Sequence, residues 1–282
     1  MPKLKCSSSV KQFEEKALRV WKMEKWGGID DPVDELVFFG LFHDRDFEVF
    51  HNYKGKKNVF WCGGDILRVN EDYERRRIIK LDPTVKHFCE NETQAKNLRS
   101  AGVEPNIIPS FLGDLKDYPV SFVPPKEGKK WKIWMGGHNR REVEYGFDQA
   151  RELAKLFPDV EFHFYGVDKE YEGKARIESD NLPNIIYHGL VPEKQLDREI
   201  RDYHAGLRCN EHDGLSEVVV KSILLGQYTI SRLPYEGVWN YRNFAELIDL
   251  IELLKQQIDP SKARNLWVDR LKNFGCYFQL RL

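Results

Sequence analysis

The sequence predicts an α/β protein made of two doubly wound domains that face a cleft. Three observations lead there. Apolar strand-like runs alternate with helix-like segments along the chain, and the series is made twice over. Between the two series, Leu112 to Lys130 is rich in Pro, Gly, Asp and Lys, has no periodicity, and reads as a linker. The 282 residues exceed one ordinary core, so two domains of roughly 120–150 residues are the default.

Composition narrows the class. Hydrophobic residues make up 41% of the chain and the formal net charge is −1, which suits a soluble globular protein and argues against a dedicated nucleic-acid binder. Cys6, Cys62, Cys89, Cys209 and Cys276 are widely spread without a C-x-x-C pair, the pattern of reduced thiols in a cytoplasmic protein rather than of a metal site. No signal peptide and no apolar run of membrane-spanning length is evident, so membrane contact is expected to be peripheral at most.

In chain order, Val10 to Trp26 reads as an amphipathic helix with Val10, Phe13, Ala17 and Val20/Trp21 on one stripe. Its apolar face docks on its own domain or rests on a membrane surface, and its glutamates weaken the second reading. Glu35 to Phe42 is a buried strand that runs into His43, a lone histidine at a strand end with either a structural or an acceptor-side role. Asn58 to Trp61 is a strand ending in Cys62-Gly63-Gly64-Asp65. The two glycines allow close approach of a ligand, and Asp65 is either a ligand contact or a helix cap. Val85 to Cys89 is a strand, Asn91 to Gln94 a capped helix start, Gly102 its stop, and Asn106 to Pro109 another strand.

In the second series, Trp131 to Met135 is a strand leading to Gly136-Gly137-His138-Asn139-Arg140-Arg141. This turn is either a solvated loop or a diphosphate cradle of backbone N–H groups and guanidinium forks. Tyr145 to Phe157 is a helix, and Val160 to Tyr165 a strand ending at Gly166. Asn184 to Tyr187 is a strand that leads through Leu190 and Val191 to a helix opened by Pro192 and running to Tyr203. Ala205 to Cys209 is apolar and enters a turn with Asp213 and Gly214. Ser216 caps the helix that begins at Glu217, Gly226 stops it, and Tyr228 to Ser231 is the next strand. Free N–H groups around Leu215, Ser216 and Glu217 then favour an anion. Asn243 to Gln256 and Ser261 to Phe274 close the chain as helices.

The Cys209–Ser231 stretch resembles the carboxylate-bearing segment of retaining glycosyltransferases of the GT-B fold, the Glu-x7-Glu families. Cys62 to Asp65 is similar to a Trp-x-Gly-Thr-Asp turn in the acceptor domain of some of them, with Gly64 in place of Thr. Registered on Gly226, Asp213 fills the first carboxylate position, which contacts the donor sugar. Lys221 fills the second, where the family has a Glu that holds the nucleotide ribose. An ammonium cannot accept hydrogen bonds from a diol. Lys221 is then a phosphate or base contact, an ion-pair partner of Glu217, or the mark of a decayed site, and Lys221→Glu is expected to favour a donor with a free ribose diol. A second departure is the family's Lys-Gly pair after the Gly-rich turn, where Glu144 or Tyr145 precedes Gly146.

The resemblance implies an abridged, acceptor-side Rossmann-like domain over residues 1–120, lacking the usual initial strand and Gly-rich loop. A nucleotide-sugar-binding Rossmann-like domain over 121–258 and a C-terminal helix over 259–282 that packs back on the first domain complete it. It implies transfer of a sugar, a hexose above all, from a nucleotide-sugar to a hydroxyl of a glycan, lipid-linked or protein-linked acceptor, with retention and without metal or other cofactor. Asp213, Asp65 and His43 are its candidate catalytic residues. Gly136, Gly137, Arg140, Arg141, Gly166, Leu190, Val191, Gly214, Leu215, Ser216, Glu217 and Lys221 are its candidate donor contacts. A non-catalytic nucleotide- or glycan-binding module of the same fold stays open as the alternative.

Overall fold

A computed structural model describes residues 2–31, 33–139, 141–168, 170–171 and 181–256, with 264–265, 268 and 271 beyond them. Two compact units emerge from it. The first comprises the chain through Asp114 together with His212–Leu215, and the second comprises Leu115–Glu211 and continues from Ser216.

The first unit is a six-stranded sheet, ordered β2-β1-β3-β4-β5-β6, in which every pairing is parallel. Its strands are β1 (Lys3–Cys6), β2 (Glu24–Lys25), β3 (Glu35–Phe39), β4 (Lys56–Phe60), β5 (Lys86–Cys89) and β6 (Pro105–Ile107). Its helices are α1 (Glu14–Trp21), α2 (Asp44–Asn52), α3 (Gly64–Glu71), α4 (Tyr73–Lys80) and α5 (Glu92–Ser100). Neighbouring residues of β3 fall into different cores: Leu36 and Phe38 pack with Trp61 and Ile66, while Val37 and Phe39 pack with Trp21 and Phe60. A sheet covered on both faces needs apolar side chains at successive positions, as Leu-Val-Phe-Phe supplies.

Two expectations need correction here. The initial strand is present: Lys3–Cys6 pairs along β3 and buries Leu4 completely. Its four residues are too short and too charged to show as an apolar run. The N-terminal helix also stops at Trp21 instead of Trp26, because Lys22 takes a left-handed conformation (φ 53°) and Glu24–Lys25 pairs with β1 as an edge strand. The Asn91 cap stands as read from the sequence, with its side chain accepting from Gln94 N at 2.9 Å.

The second unit is a parallel sheet in the order β12-β11-β10-β7-β8-β9. The strands are β7 (Trp131–Gly136), β8 (Val160–Tyr165), β9 (Ile185–Gly189), β10 (Ala205–Arg208), β11 (Tyr228–Ser231) and β12 (Trp239–Asn240). The helices are α6 (Phe147–Leu156), α7 (Glu193–Glu199), α8 (Glu217–Leu224) and α9 (Phe244–Leu254). Numbered within the unit, this is the 3-2-1-4-5-6 order of dinucleotide-binding sheets, with its reversal between β7 and β10. Helix α8 lies against the sheet at the reversal: a Cβ at Gly206 would stand 2.0 Å from Ser222 Oγ, and Trp134 Nε1 donates to that same oxygen at 2.9 Å. The expected helix Ser261–Phe274 and its return to the first domain fall almost entirely outside the described residues.

Candidate functional site

In a doubly wound sheet, ligands bind outside the carboxyl ends of the strands where the strand order reverses. In the second unit that place lies beyond Gly136 of β7 and Arg208 of β10. Gly136 and Gly137 lead out of β7, and space around them is scarce. A Cβ on Gly137 would meet Val167 Cγ2 at 2.6 Å, and one on Gly166 (φ 90°) would meet Gly137 O at 2.7 Å. These glycines let two strand ends touch. Asn139 then ties the Gly-rich turn to the turn after β8: its side chain donates to Asp168, and its Oδ1 accepts from Asp168 N at 3.2 Å.

The cation at this edge is one the sequence reading missed. Arg208 ends β10, is only 9% exposed, and brings Nη1 to 3.3 Å from where a Gly136 Cβ would stand. Its guanidinium lies 4.7 Å from the centroid of the Tyr145 ring, which Arg141 approaches at 5.7 Å and His138 stacks upon at 5.8 Å. Arg141 itself is half-exposed and ion-paired with Glu144. That bond holds its guanidinium above its already high range. Arg140 lies outside the described residues. A signal was available for Arg208, since an arginine in a four-residue buried strand is rare without a dedicated purpose.

Ser216 caps α8, with its Oγ accepting from Val218 N at 3.2 Å, while Leu215 N, expected to be free for an anion, donates to Glu90 Oε2 at 2.8 Å instead. At the end of β9, Gly189 turns with φ 77° and Leu190 stands 70% exposed, with Val191 half-buried after it. An exposed leucine at a sheet's ligand edge is a flat apolar surface of the kind a nucleobase covers.

Lys221 has no access to a ligand. It is 1% exposed, and its ammonium stands 2.8 Å from Asp197, 3.0 Å from Glu217 and 3.6 Å from Glu193, with the Tyr118 ring at 5.8 Å. Tyr118 Oη in turn donates to Asp197 at 3.0 Å. Burial opposes the charge, but Glu217, Tyr118 and Asp197 together hold the ammonium protonated far above the lysine range. Of the roles weighed for it, the ion pair with Glu217 is the one with geometry behind it. The phosphate or base contact has none, because no surface of Nζ is left for a ligand.

The remaining sequence-predicted residues sit in the first unit. Asp213, Gly214 and Leu215 form a turn packed against Gly63, Glu90 and Asn91. Asn91 Nδ2 donates to Asp213 O at 3.0 Å and Gly214 O at 3.3 Å, and Leu215 N donates to Glu90 Oε2 at 2.8 Å. A Cβ on Gly63 (φ 116°) would stand 3.3 Å from Gly214 N, so both glycines serve this approach. Asp213 and His212 line a small recess with Gly63, Leu67 and Gln94. Asn91 was read from the sequence as no more than a helix cap, and Glu90 was not singled out.

Asp65 holds this turn from below. It is fully buried, and its oxygens accept from Leu41, Cys62, Gly63 and Ile66 amides at 2.9–3.3 Å. Burial pushes its carboxyl up to about 6, against those amides. The geometry therefore makes Asp65 a framework residue of the glycine turn rather than a ligand contact. Because its folded pKa is raised, its contribution is complete below about pH 4, the unfolded value, and shrinks as pH rises through about 6. Asp65→Asn cannot ionise, so its stability relative to the wild type is expected to rise as pH increases from about 4 to about 6, read by chemical denaturation across that range.

His43 stands apart, at the order reversal of the first sheet between β1 and β3. It is exposed, precedes α2, and shares a 2.9 Å hydrogen bond between Nε2 and Ser9 Oγ. Buried Asp46 beneath it takes Ser7 Oγ at 2.6 Å, His43 N at 3.1 Å and Lys5 Nζ at 2.6 Å. Against its burial, Lys5 and Ser7 hold the Asp46 carboxyl below the usual range.

No protein-family model matches the sequence, and no curated protein matches it either. Solved structures do match in fold. A glycosyltransferase from Rickettsia africae superposes with a TM-score of 0.69 at 10% identity, over 99% of this chain and 96% of that one. Sucrose-phosphate synthase from Thermosynechococcus elongatus gives 0.66 at 12% identity, over 94% and 75%. TarM of S. aureus, solved with UDP, gives 0.57 at 15% identity, over 82% of this chain. The chain spans about half the length of TarM, 51%. The two parallel six-stranded sheets with their helices are the GT-B type of α/β fold.

Proposed function

We propose that this chain is a glycosyltransferase that takes a sugar from a nucleotide-sugar and passes it to a hydroxyl acceptor, a glycan or a lipid- or protein-linked group, with retention at the anomeric carbon. The observation that carries the reading is Arg208 at the strand-order reversal of the second sheet, beside Gly136 and level with the open end of β7. In the reaction the bond from the anomeric carbon to the diphosphate oxygen breaks and its electron pair leaves with the diphosphate. A bond from the acceptor oxygen to the same carbon forms, and the acceptor's proton passes to the departing diphosphate. Charge accumulates on the diphosphate as the bond breaks, and a cation and oriented amides already in place lower that barrier.

In this scheme Arg208 and the N-terminal turn of α8 take the diphosphate, Leu190 and Val191 take the base, and the sugar contact of Asp213 is carried over from the resemblance alone. The cation demanded after β7 is supplied from β10, over the face of Tyr145. In sequence, Glu144 or Tyr145 fills the slot where the resembled families carry their lysine. Transfer of a hexose, a cytoplasmic setting and chemistry without metal belong to the same proposal.

A second reading is favoured by one observation. The residue in the ribose position is a buried, ion-paired lysine, which leaves a diol without its usual partner. A non-catalytic nucleotide- or glycan-binding module would tolerate that loss. A panel of nucleotide-sugars tested by thermal shift and product formation separates the readings. Binding with release of nucleoside diphosphate on adding acceptor supports the enzyme, and binding without turnover supports the module. A ligand at a hundred times its Kd stabilises by about 2.7 kcal/mol, ample for detection. If no nucleotide-sugar shifts the melting point, the proposal fails.

A further inference from the structure

Glu90 is an acidic residue with no part in the scheme above, yet it is wedged against the turn that carries Asp213. Its Oε2 accepts from Leu215 N at 2.8 Å, and a side chain at Gly214 would displace that oxygen from its place against the turn. The next residue completes the grip, with Asn91 Nδ2 on the carbonyls of Asp213 and Gly214. Glu90 and Asn91 thus take the amide and the carbonyls of one tripeptide. Their own backbone is fixed in turn: Gln94 Oε1 accepts from Glu90 N at 2.7 Å, and Asn91 Oδ1 accepts from Gln94 N at 2.9 Å.

We propose that Glu90 is a positioning residue, a proton-linked clamp that fixes the Asp213–Leu215 turn and loosens it when it ionises. The role in turnover rests on Asp213 meeting the donor sugar as described above. The clamp itself does not.

Among the described residues, the titratable groups facing Glu90 are Asp65 at the start of α3, Asp213 on the turn, and the thiols of Cys62 and Cys89. Burial drives the Glu90 carboxyl well above the carboxylate range, and Asp213 and Asp65 push the same way, while the Leu215 amide opposes them. Protonated, Glu90 still offers an oxygen to Leu215 and adds no charge beside Asp213. Ionised, it sets a second negative charge against both aspartates. The clamp is therefore complete on the acid side of the Glu90 transition and weakens as pH rises through it.

The test uses the full chain, its Glu90→Gln and Glu90→Ala variants, and two readouts. Amide hydrogen exchange of a peptide covering Asp213 to Ser216 reports the clamp directly, and donor turnover across pH reports its consequence. Glutamine keeps an acceptor oxygen without the proton. It is expected to hold exchange near the wild-type rate, recover most of the turnover and flatten the alkaline fall. Alanine is expected to speed exchange about tenfold or more, the equivalent of one lost hydrogen bond, and to lower kcat more than it raises KM. Equal exchange in all three proteins, or Glu90→Gln behaving as Glu90→Ala, overturns the clamp. Should the wild type turn over no nucleotide-sugar, the proposed reaction is what fails, and the exchange rates alone then decide for or against Glu90. If Glu90→Ala does not fold, the wild-type and glutamine pH profiles decide: identical alkaline limbs contradict the proposal.

Discussion

Lys221→Ala is expected to be among the most destabilising single substitutions in the second unit, at about 3 kcal/mol in denaturant unfolding at neutral pH. That is the low end for breaking a buried ion pair, because Glu217 and Glu193 are 40% and 41% exposed and water screens part of what remains. The loss comes from the three carboxylates left facing one another around an empty position, more than from the lysine's own contacts. Lys221→Met, which fills the volume without the charge, is expected to recover little. Acid should relieve both variants, since protonating the crowded carboxylates removes their repulsion, so the deficit shrinks as pH falls. Lys221→Glu, attractive from the sequence as a restored diol acceptor, places a fourth carboxylate in the cluster and is expected to unfold the unit instead. A Lys221→Ala protein as stable as wild type would show that the ammonium is not the counter-ion of this cluster.

Arg208→Ala carries the second large effect, on binding. A charge-assisted hydrogen bond to a diphosphate is worth about 1.5–3 kcal/mol, so nucleoside diphosphate affinity measured by calorimetry should fall about 10- to 100-fold. Turnover should fall further, because the charge on the leaving diphosphate grows in the transition state. Arg208→Lys should keep part of the affinity, as a point charge without the planar fork. Arg141→Ala, which removes a half-exposed partner of Glu144, is expected to change affinity less than threefold, within about 0.5 kcal/mol. Equal effects from the two arginines would contradict the assignment of Arg208.

The parallel architecture was legible because each long strand is an apolar run ended by glycine or a capping residue. Trp131, Val160 and Tyr228 begin strands where expected, and Asn91 and Ser216 cap helices where expected. Lys3–Cys6 was not legible, since four residues carrying two lysines show no apolar run, and its burial comes from β3 beside it. The overlong first helix failed for a related reason: periodicity cannot register a single left-handed residue such as Lys22. At the site, residue types were legible and their neighbours were not. Asp65 reads equally well as ligand or framework until Leu41, 24 residues away in sequence, is seen to donate to it. The same limit hid Arg208 behind the more conspicuous Arg140-Arg141 pair, and Glu90 behind the helix start that follows it.

The proposed nucleotide-sugar site lies at the β7–β10 edge of the second unit. Amide hydrogen exchange with and without a bound nucleotide-sugar, found by the thermal-shift panel, tests it most directly. Protection is expected at Gly136 to Asn139 and over the first turn of α8, at Glu217 to Val219, reduced in Arg208→Ala at equal donor concentration. Protection confined to other segments, such as Ser7 to His43 of the first unit, or full protection in Arg208→Ala, would contradict it.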